Sequence, residues 1–409
     1  MIELTNPLQK RCDFCDLRSA SVTNLPFLLI EFLDELVFGV TGAAWPFIQT
    51  ELGLNYTQIG ILLTVPGIVS TIVEPFLGVL GDVWKRRLLI LGGGICFVLA
   101  LLLTSLSVSF VLLLFAFCLF YPASGAFVSL SQATLMDRDP SRHDHNMARW
   151  TFAGSLGVVL GPPLLVGLSA LGFGWRGVFL ALAFLAGIVL LLAWRKIPRD
   201  ASNLPKIPSF TGLLDGFRVT FYALRNKNVL RWLALLEFSD LMLDVLLGFL
   251  ALYFHDVAGL TETQAAGAVF VWLVFGLLGD FLLIPLLEKV DGLTYLHLSV
   301  ALELLLFPAF LLIPQVWLKL ALVGLLGFFN SGWYAILKGR LYSALPGQSG
   351  TVMALGNVTG LVGGLLPLGI GLAADAFGLR VAIWLLLAGP LALLLGLPRR
   401  NSTAINHSP

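Results

Sequence analysis

A chain of 409 residues in which 58% are hydrophobic and only 12% charged, with a mean hydropathy of +0.91, lies far from a soluble domain, where about 25% of residues carry charge. With a formal net charge of +1 the information lies in where the charges are placed rather than in their sum, and no nucleic-acid partner is expected. Four cysteines do not make a disulfide scaffold, so the composition is that of an integral membrane protein.

Apolar runs of about 18 to 25 residues, each enough to cross a hydrocarbon core of about 30 Å, are found near 24–48, 57–81, 88–107, 109–135, 147–169, 175–195, 229–254, 263–287, 293–313, 316–342, 351–374 and 379–397. The first 23 residues are polar and of mixed charge, without the pattern of a cleavable signal. Within them Cys12-Asp13-Phe14-Cys15 is a lone CxxC with no second pair or histidine nearby, which argues against a metal or redox site. Cys96 and Cys118 sit in apolar runs and read as packing residues.

Of the 25 lysines and arginines, 22 fall at one side if both termini are cytoplasmic: Lys10, Arg11, Arg18, Lys85, Arg86, Arg87, Arg138, Arg142, Arg149, Lys289, Lys338, Arg340, Arg399, Arg400 and the eight between Arg195 and Arg231. Only Arg176, Lys319 and Arg380 are left outside, a strong positive-inside bias. The segment 195–231, with Pro198, Pro205 and Pro208, reads as a cytoplasmic linker whose part from Phe210 to Leu224 lies along the membrane surface. The expected division is a bundle over 1–195, a linker over 196–228, a second bundle over 229–398 and a tail over 399–409. A multi-pass, monomeric protein of the plasma (inner) membrane is expected.

The first span carries Glu31, Asp34 and Glu35. On a helix these fall within an arc of about 100°, a polar stripe facing something other than lipid. A shift of 206 residues lays Glu31-Phe32-Leu33-Asp34 on Glu237-Phe238-Ser239-Asp240, Gly53-Leu54 on Gly259-Leu260, Gln58 on Gln264, Glu74 on Asp280 and Asp82 on Glu288. Ser124-Gly125 and Ser331-Gly332 follow at 207, and Phe173-Gly174 and Phe377-Gly378 at 204. The chain is two copies of one unit of roughly 200 residues, an arrangement common among transporters.

At the end of the second span the chain reads Gly78-Val79-Leu80-Gly81-Asp82-Val83-Trp84-Lys85-Arg86-Arg87. This resembles the loop between spans 2 and 3 of the major facilitator superfamily, matching at Gly78, Leu80, Asp82, Arg86 and Arg87. Val83 stands where that family usually has a basic residue, and Lys85 where it has glycine. The resemblance implies an all-α membrane protein of twelve transmembrane helices in two pseudo-symmetric six-helix bundles. It also implies a latch in which Asp82 meets the helix start at Ser349-Gly350-Thr351, a contact worth roughly 0.3 to 1 kcal/mol. The competing reading of the loop is a basic anchor that only sets orientation. Gly154-Ser155-Leu156-Gly157-Val158-Val159-Leu160-Gly161-Pro162-Pro163 is similar to the motif of the antiporter branches, with Gly157, Gly161 and Pro162 as its core and the trailing glycine pair missing. Plain helix packing is the alternative. The stretch Gly53 to Gly60 is similar to drug-efflux and fosmidomycin-resistance-type members.

The acids within the spans are Glu31, Asp34, Glu35, Glu74, Glu237, Asp240, Asp244, Asp280 and Glu303. Each ionised acid at mid-membrane costs roughly 2.5 to 3.5 kcal/mol, so these are protonated, paired or neutralised by a cation. Acids that share a dehydrated site are suited to taking up and releasing protons. Glu237, Asp240 and Asp244 cluster within an arc of about 60°. In the superfamily spans 1, 4, 7 and 10 line a central cavity, which implies that two acidic faces look at each other across it. Asn330, Trp333, Tyr334, Tyr121, Ser124 and Gln132 would supply its walls, with packing the alternative for the aromatics. Aromatic faces beside carboxylates suit an organic cation. Glu74 and Asp280 read either as coupling groups or as structural hydrogen bonds, and Glu303 as a helix-contact hydrogen bond.

The expectation is therefore a secondary active transporter, not an enzyme, with no cofactor beyond a proton gradient. Protons, a small molecule and the lipid bilayer are its partners, and proton-coupled efflux of a lipophilic or cationic compound is its leading mechanism. A carrier of divalent metal, held by oxygen ligands, and proton-coupled uptake of a nutrient are the alternatives. The His143-Asp144-His145 stretch reads as a hydrated loop rather than a metal site.

Overall fold

The computed structural model describes residues 7–83, 85–138, 143–197, 225–345 and 360–398, and the regular structure among them is helical. Six helices come from the first repeat. They are α1 (Pro7–Leu52), α2 (Tyr56–Val83), α3 (Arg86–Ser105), α4 (Phe110–Ser124, a π turn Gly125–Ser129, then Leu130–Arg138), α5 (His143–Ala170) and α6 (Gly174–Lys196). The second repeat opens with α7, built from Lys227–Asp240, a π turn Leu241–Val245, Leu246–Leu252 and a second π turn Tyr253–Val257. It continues with α8 (Glu262–Leu287), α9 (Gly292–Leu312), α10 (Val316–Asn330 and Trp333–Ala344), α11 (Leu366–Phe377, with helical residues from 360) and α12 (Leu379–Ala382, a 3-10 turn Ile383–Leu387, Ala388–Gly396).

Ten of the twelve are long and apolar enough to cross a membrane on length and composition alone. The other two, α1 and α7, are the pair that carry three carboxylates each within one span. Two boundaries depart from expectation. Helix α1 begins at Pro7, so Cys12 and Cys15 lie on helical backbone, and α5 begins at His143 instead of near residue 147. The expected surface segment 210–224 and the helix start at Ser349 to Thr351 lie outside the described residues.

The repeat has a local physical basis. Gly53 and Gly259 both follow the last turn of a helix with positive φ, 63° and 74°, a conformation that glycine adopts without a β-carbon clash. Two residues on, each repeat builds a capping box. The Gln58 N–H donates to Asn55 Oδ1 at 2.8 Å while the Asn55 N–H donates to Gln58 Oε1 at 3.0 Å. At α8 the Gln264 N–H donates to Thr261 Oγ1 at 3.3 Å and the Thr261 N–H to Gln264 Oε1 at 3.0 Å. Each box satisfies two backbone donors that a helix start leaves free.

The chain forms two compact units, Met1–Ser209 with Leu250–Phe270, and Phe210–Phe249 with Val271–Pro409. In the first unit α1 and α5 run parallel in near backbone contact. A β-carbon on Gly161 would stand 2.5 Å from the Gly39 carbonyl carbon, and one on Gly157 would strike the Phe32 carbonyl oxygen. Glu51 at the end of α1 takes the Trp175 indole N–H at 2.5 Å and Arg176 Nε at 2.6 Å. Arg176 in turn donates to the Ser105 carbonyl at 3.1 Å, joining α1, α3 and α6. Tyr56 donates to Asp256 Oδ2 at 2.7 Å, and Asp256 Oδ1 lies 2.6 Å from His255 Nδ1. In the second unit buried Lys319 donates to the Phe310 carbonyl at 2.5 Å and the Leu311 carbonyl at 3.3 Å. It thereby satisfies carbonyls in the last turn of α9, where a cation is electrostatically favoured.

Candidate functional site

The carboxylates of the first unit gather on α1 and α2 against α4 and α5. Glu31 is buried, 9% exposed, accepts a hydrogen bond from the Trp150 indole, and lies where a β-carbon on Gly154 would come within 2.7 Å of its Oε1. Glu35 is next to it, its Cγ and Cβ 3.2 and 3.1 Å from where β-carbons on Gly154 and Gly157 would stand. The small residues of α5 thus make room for two acids as well as for the α1 backbone. Asp34, one helical step round, accepts the Ser124 hydroxyl at 2.8 Å. Glu74 on α2 takes the Ser70 hydroxyl at 2.6 Å and packs its Cγ 2.8 Å from where a β-carbon on Gly125 would be. Ser124 and Gly125, where α4 passes into its π turn, therefore separate the α1 acid from the α2 acid.

The second unit repeats this placement with different chemistry. Glu237 occupies the space above Gly363 of α11, which has no room for a β-carbon. Asp240 and Asp244 are hydrogen-bonded to each other across the π turn of α7. Two carboxyl groups can make such a bond when one of them carries a proton. A π turn frees a backbone carbonyl from its usual partner, and here the Met242 carbonyl receives the buried Asn330 side chain, Nδ2 donating at 2.9 Å. Asp280 on α8 accepts the Gly332 N–H at 3.1 Å. Gly332 has φ 73° and precedes the second segment of α10, and a helix start leaves such N–H groups without partners.

Trp333 is fully buried and its indole donates to the Ser299 hydroxyl of α9 at 2.9 Å, a packing position inside the second unit rather than an open wall. Tyr334 is 57% exposed, with Lys338 Nζ 5.7 Å from its ring centroid. Gly157 and Gly161 act as close-packing residues, and Pro162 lies within an uninterrupted α5. Arg87 donates to the Trp194 carbonyl at 2.6 Å, fastening α3 to α6. Gly78 and Asp82 are in the last turns of α2 and Arg86 starts α3, while the expected latch partner is outside the described residues. Glu303 differs from its expected role: it is fully buried and neither carboxyl oxygen has a hydrogen-bond partner among the described residues.

Among the described residues, no lysine or arginine lies within ion-pair distance of Glu31, Asp34, Glu74, Asp240, Asp244 or Asp280. Nor do three histidine, cysteine or acidic side chains among them gather to hold a metal ion. The donors to the acids are instead Trp150, Ser124, Ser70, a backbone N–H and a second carboxyl. Ser70 was legible as the residue four before Glu74 on one helix face. Trp150 was not, because nothing local links it to Glu31.

Among the described residues, twelve helices in two repeats, with three acids within the first span of each, have the organisation of a secondary membrane transporter rather than an enzyme. The chain belongs to the Major Facilitator Superfamily, whose profile matches residues 27–368. It is 26% identical over 361 residues to the fosmidomycin resistance protein of Escherichia coli (strain K12), covering 85% of each chain. It is 25% identical over 259 residues to a hexuronate transporter of Bacillus subtilis (strain 168), spanning 61% of this chain and 60% of that protein. The fold is similar to that of a bacterial homolog of the human lysosomal transporter Spinster in an inward-facing, unoccupied conformation, with a TM-score of 0.69 at 20% identity over 92% of this chain and 94% of the other. It is also similar to that of the nucleoside transporter NupG, with a TM-score of 0.69 at 14% identity over 92% of this chain and 98% of the other. A small-molecule substrate and a lipid environment follow from membership of this family.

Proposed function

We propose that the protein is a proton-coupled antiporter that exports a lipophilic or cationic small molecule by alternating access. The observation that carries this is the placement of Asp240 and Asp244 against each other in the π turn of α7, with no lysine or arginine among the described residues within ion-pair distance of either; such a pair is suited to holding one proton between its carboxyl groups. A bound cation can replace that proton, and a returning proton can displace the cation. Asp34, held by Ser124, is the corresponding group of the first repeat, with Glu31, Glu35 and Glu237 as neighbouring acids. Glu74 and Asp280, seated at the interruptions of α4 and α10, link protonation to movement of those helices. The likeness to a fosmidomycin resistance protein favours export. We place the protein in the plasma (inner) membrane as a monomer, with both termini cytoplasmic, bundles over 1–195 and 229–398, and Asp82 as part of a conformational latch.

The test is reconstitution in liposomes with an imposed pH gradient, following proton flux on addition of organic cations, divalent metals and neutral drugs. Asp34→Asn and Asp240→Asn should each abolish cation-dependent proton flux. Retained coupling in both would remove these acids from the mechanism. A hexuronate transporter among the relatives supports a second reading, proton-coupled uptake, which the same vesicles distinguish: proton and solute would then move in the same direction.

A further inference from the structure

A groove of about 420 Å³ runs along the contact of α1 and α5, lined by Leu28, Leu29, Phe32, Phe152, Ala153 and Leu156, with Arg149 at its beginning. Its walls are apolar and open to the outside: Phe152 is 67% exposed and Leu156 40%. Arg149 is half-buried and makes no hydrogen bond or ion pair among the described residues. The rotation of α5 is fixed here, because Trp150, one residue and about 100° further round the helix, is buried and donates to Glu31 of α1. Arg149 thus lines the groove at the N-terminal end of its α5 wall.

A guanidinium with no partner among the described residues, set beside apolar surface at a membrane, favours a counter-charge. A phosphate diester matches its planar donors, and the trough that leads away from it matches a hydrocarbon chain. We propose that this groove binds an anionic phospholipid of the surrounding bilayer, its headgroup phosphate on Arg149 and one acyl chain along Leu28, Phe32, Phe152 and Leu156. A zwitterionic lipid offers the same chain but no net charge, so the expected preference is about fivefold for the anionic lipid at one basic residue.

The test is native mass spectrometry of the full chain, delipidated in detergent and presented with equimolar phosphatidylglycerol and phosphatidylcholine. The unaltered protein should retain phosphatidylglycerol about fivefold over phosphatidylcholine. Arg149→Gln should bring the ratio to one, Arg149→Lys should keep most of it, and Ala153→Phe, which fills the trough with the arginine in place, should lower retention of both lipids. An undiminished preference in Arg149→Gln overturns the proposal. So does displacement of the lipid by glycerol 3-phosphate at equal concentration, which would mark a site for a free anion, or full retention in Ala153→Phe.

Discussion

Asp280 accepts the backbone N–H of Gly332 at 3.1 Å, and its repeat counterpart Glu74 packs against Gly125 at the equivalent interruption of α4. An acid on the second span of each repeat is thus seated on a Ser-Gly step of the fourth. In one repeat the step is a π turn that keeps the helix continuous; in the other it is a break with a left-handed glycine. Asp280→Ala should leave the Gly332 N–H without its acceptor and cost about 1–3 kcal/mol. Asp280→Asn, which keeps an accepting oxygen, should restore most of the stability yet not the transport. Thermal unfolding in detergent, measured beside vesicle flux, separates the two effects; equal losses of stability in both variants would contradict this role.

Asn330 holds the Met242 carbonyl that the α7 π turn sets free. Asn330→Ala removes the donor and should lower stability by about 1–3 kcal/mol, with loss of proton-coupled flux as the Asp240 and Asp244 pair loses its frame. Asn330→Asp places an acceptor against an acceptor and should be worse. If both variants keep wild-type coupling, the turn does not depend on Asn330.

The α5 glycines differ in what surrounds them, so their alanine variants should differ in sign. Gly157→Ala drives a methyl group into the Phe32 carbonyl and should cost about 1–3 kcal/mol. Gly167, on the same helix, has nothing within 4 Å of its would-be β-carbon, and Gly167→Ala should be neutral or stabilising by about 0.5–1 kcal/mol. Thermal shifts in one detergent suffice to compare them, and equal shifts would refute the close-packing account.

Glu303 is a buried carboxyl with no partner for either oxygen among the described residues. A polar group in that position carries a desolvation cost without a compensating bond, so Glu303→Leu should raise the melting temperature. A drop of several degrees would mean that Glu303 is bonded in the working protein.

The two-fold repeat, the helical spans and the recurrence of acids within them were legible because each leaves a local trace: hydropathy, spacing, or a residue recurring at one shift. Gln58 and Gln264 repeat because each closes a capping box, and Gly53 and Gly259 because each takes a left-handed turn. The interruptions within spans were not legible. Nothing in Leu241-Met242-Leu243-Asp244-Val245 departs from ordinary helical sequence; a π turn there is sustained by Asn330, 88 residues away. For the same reason the sequence left Trp333 open between a cavity wall and packing, and a serine on the neighbouring α9 holds it inside. Glu31 and Glu237 were read as facing a hollow, and the glycines beneath them, Gly154 and Gly363, could be matched to them only in three dimensions.

The proposed exchange of a proton on the Asp240 and Asp244 pair has an electrical consequence. If a singly charged solute takes its place and later yields to another proton, the second repeat carries the same charge across the membrane in each direction. That exchange would be electroneutral, insensitive to a potential that otherwise contributes about 2.3 kcal/mol per charge at 100 mV. A neutral solute exchanged for the same proton would instead make the cycle electrogenic, so the voltage dependence of turnover would reveal the charge of the cargo.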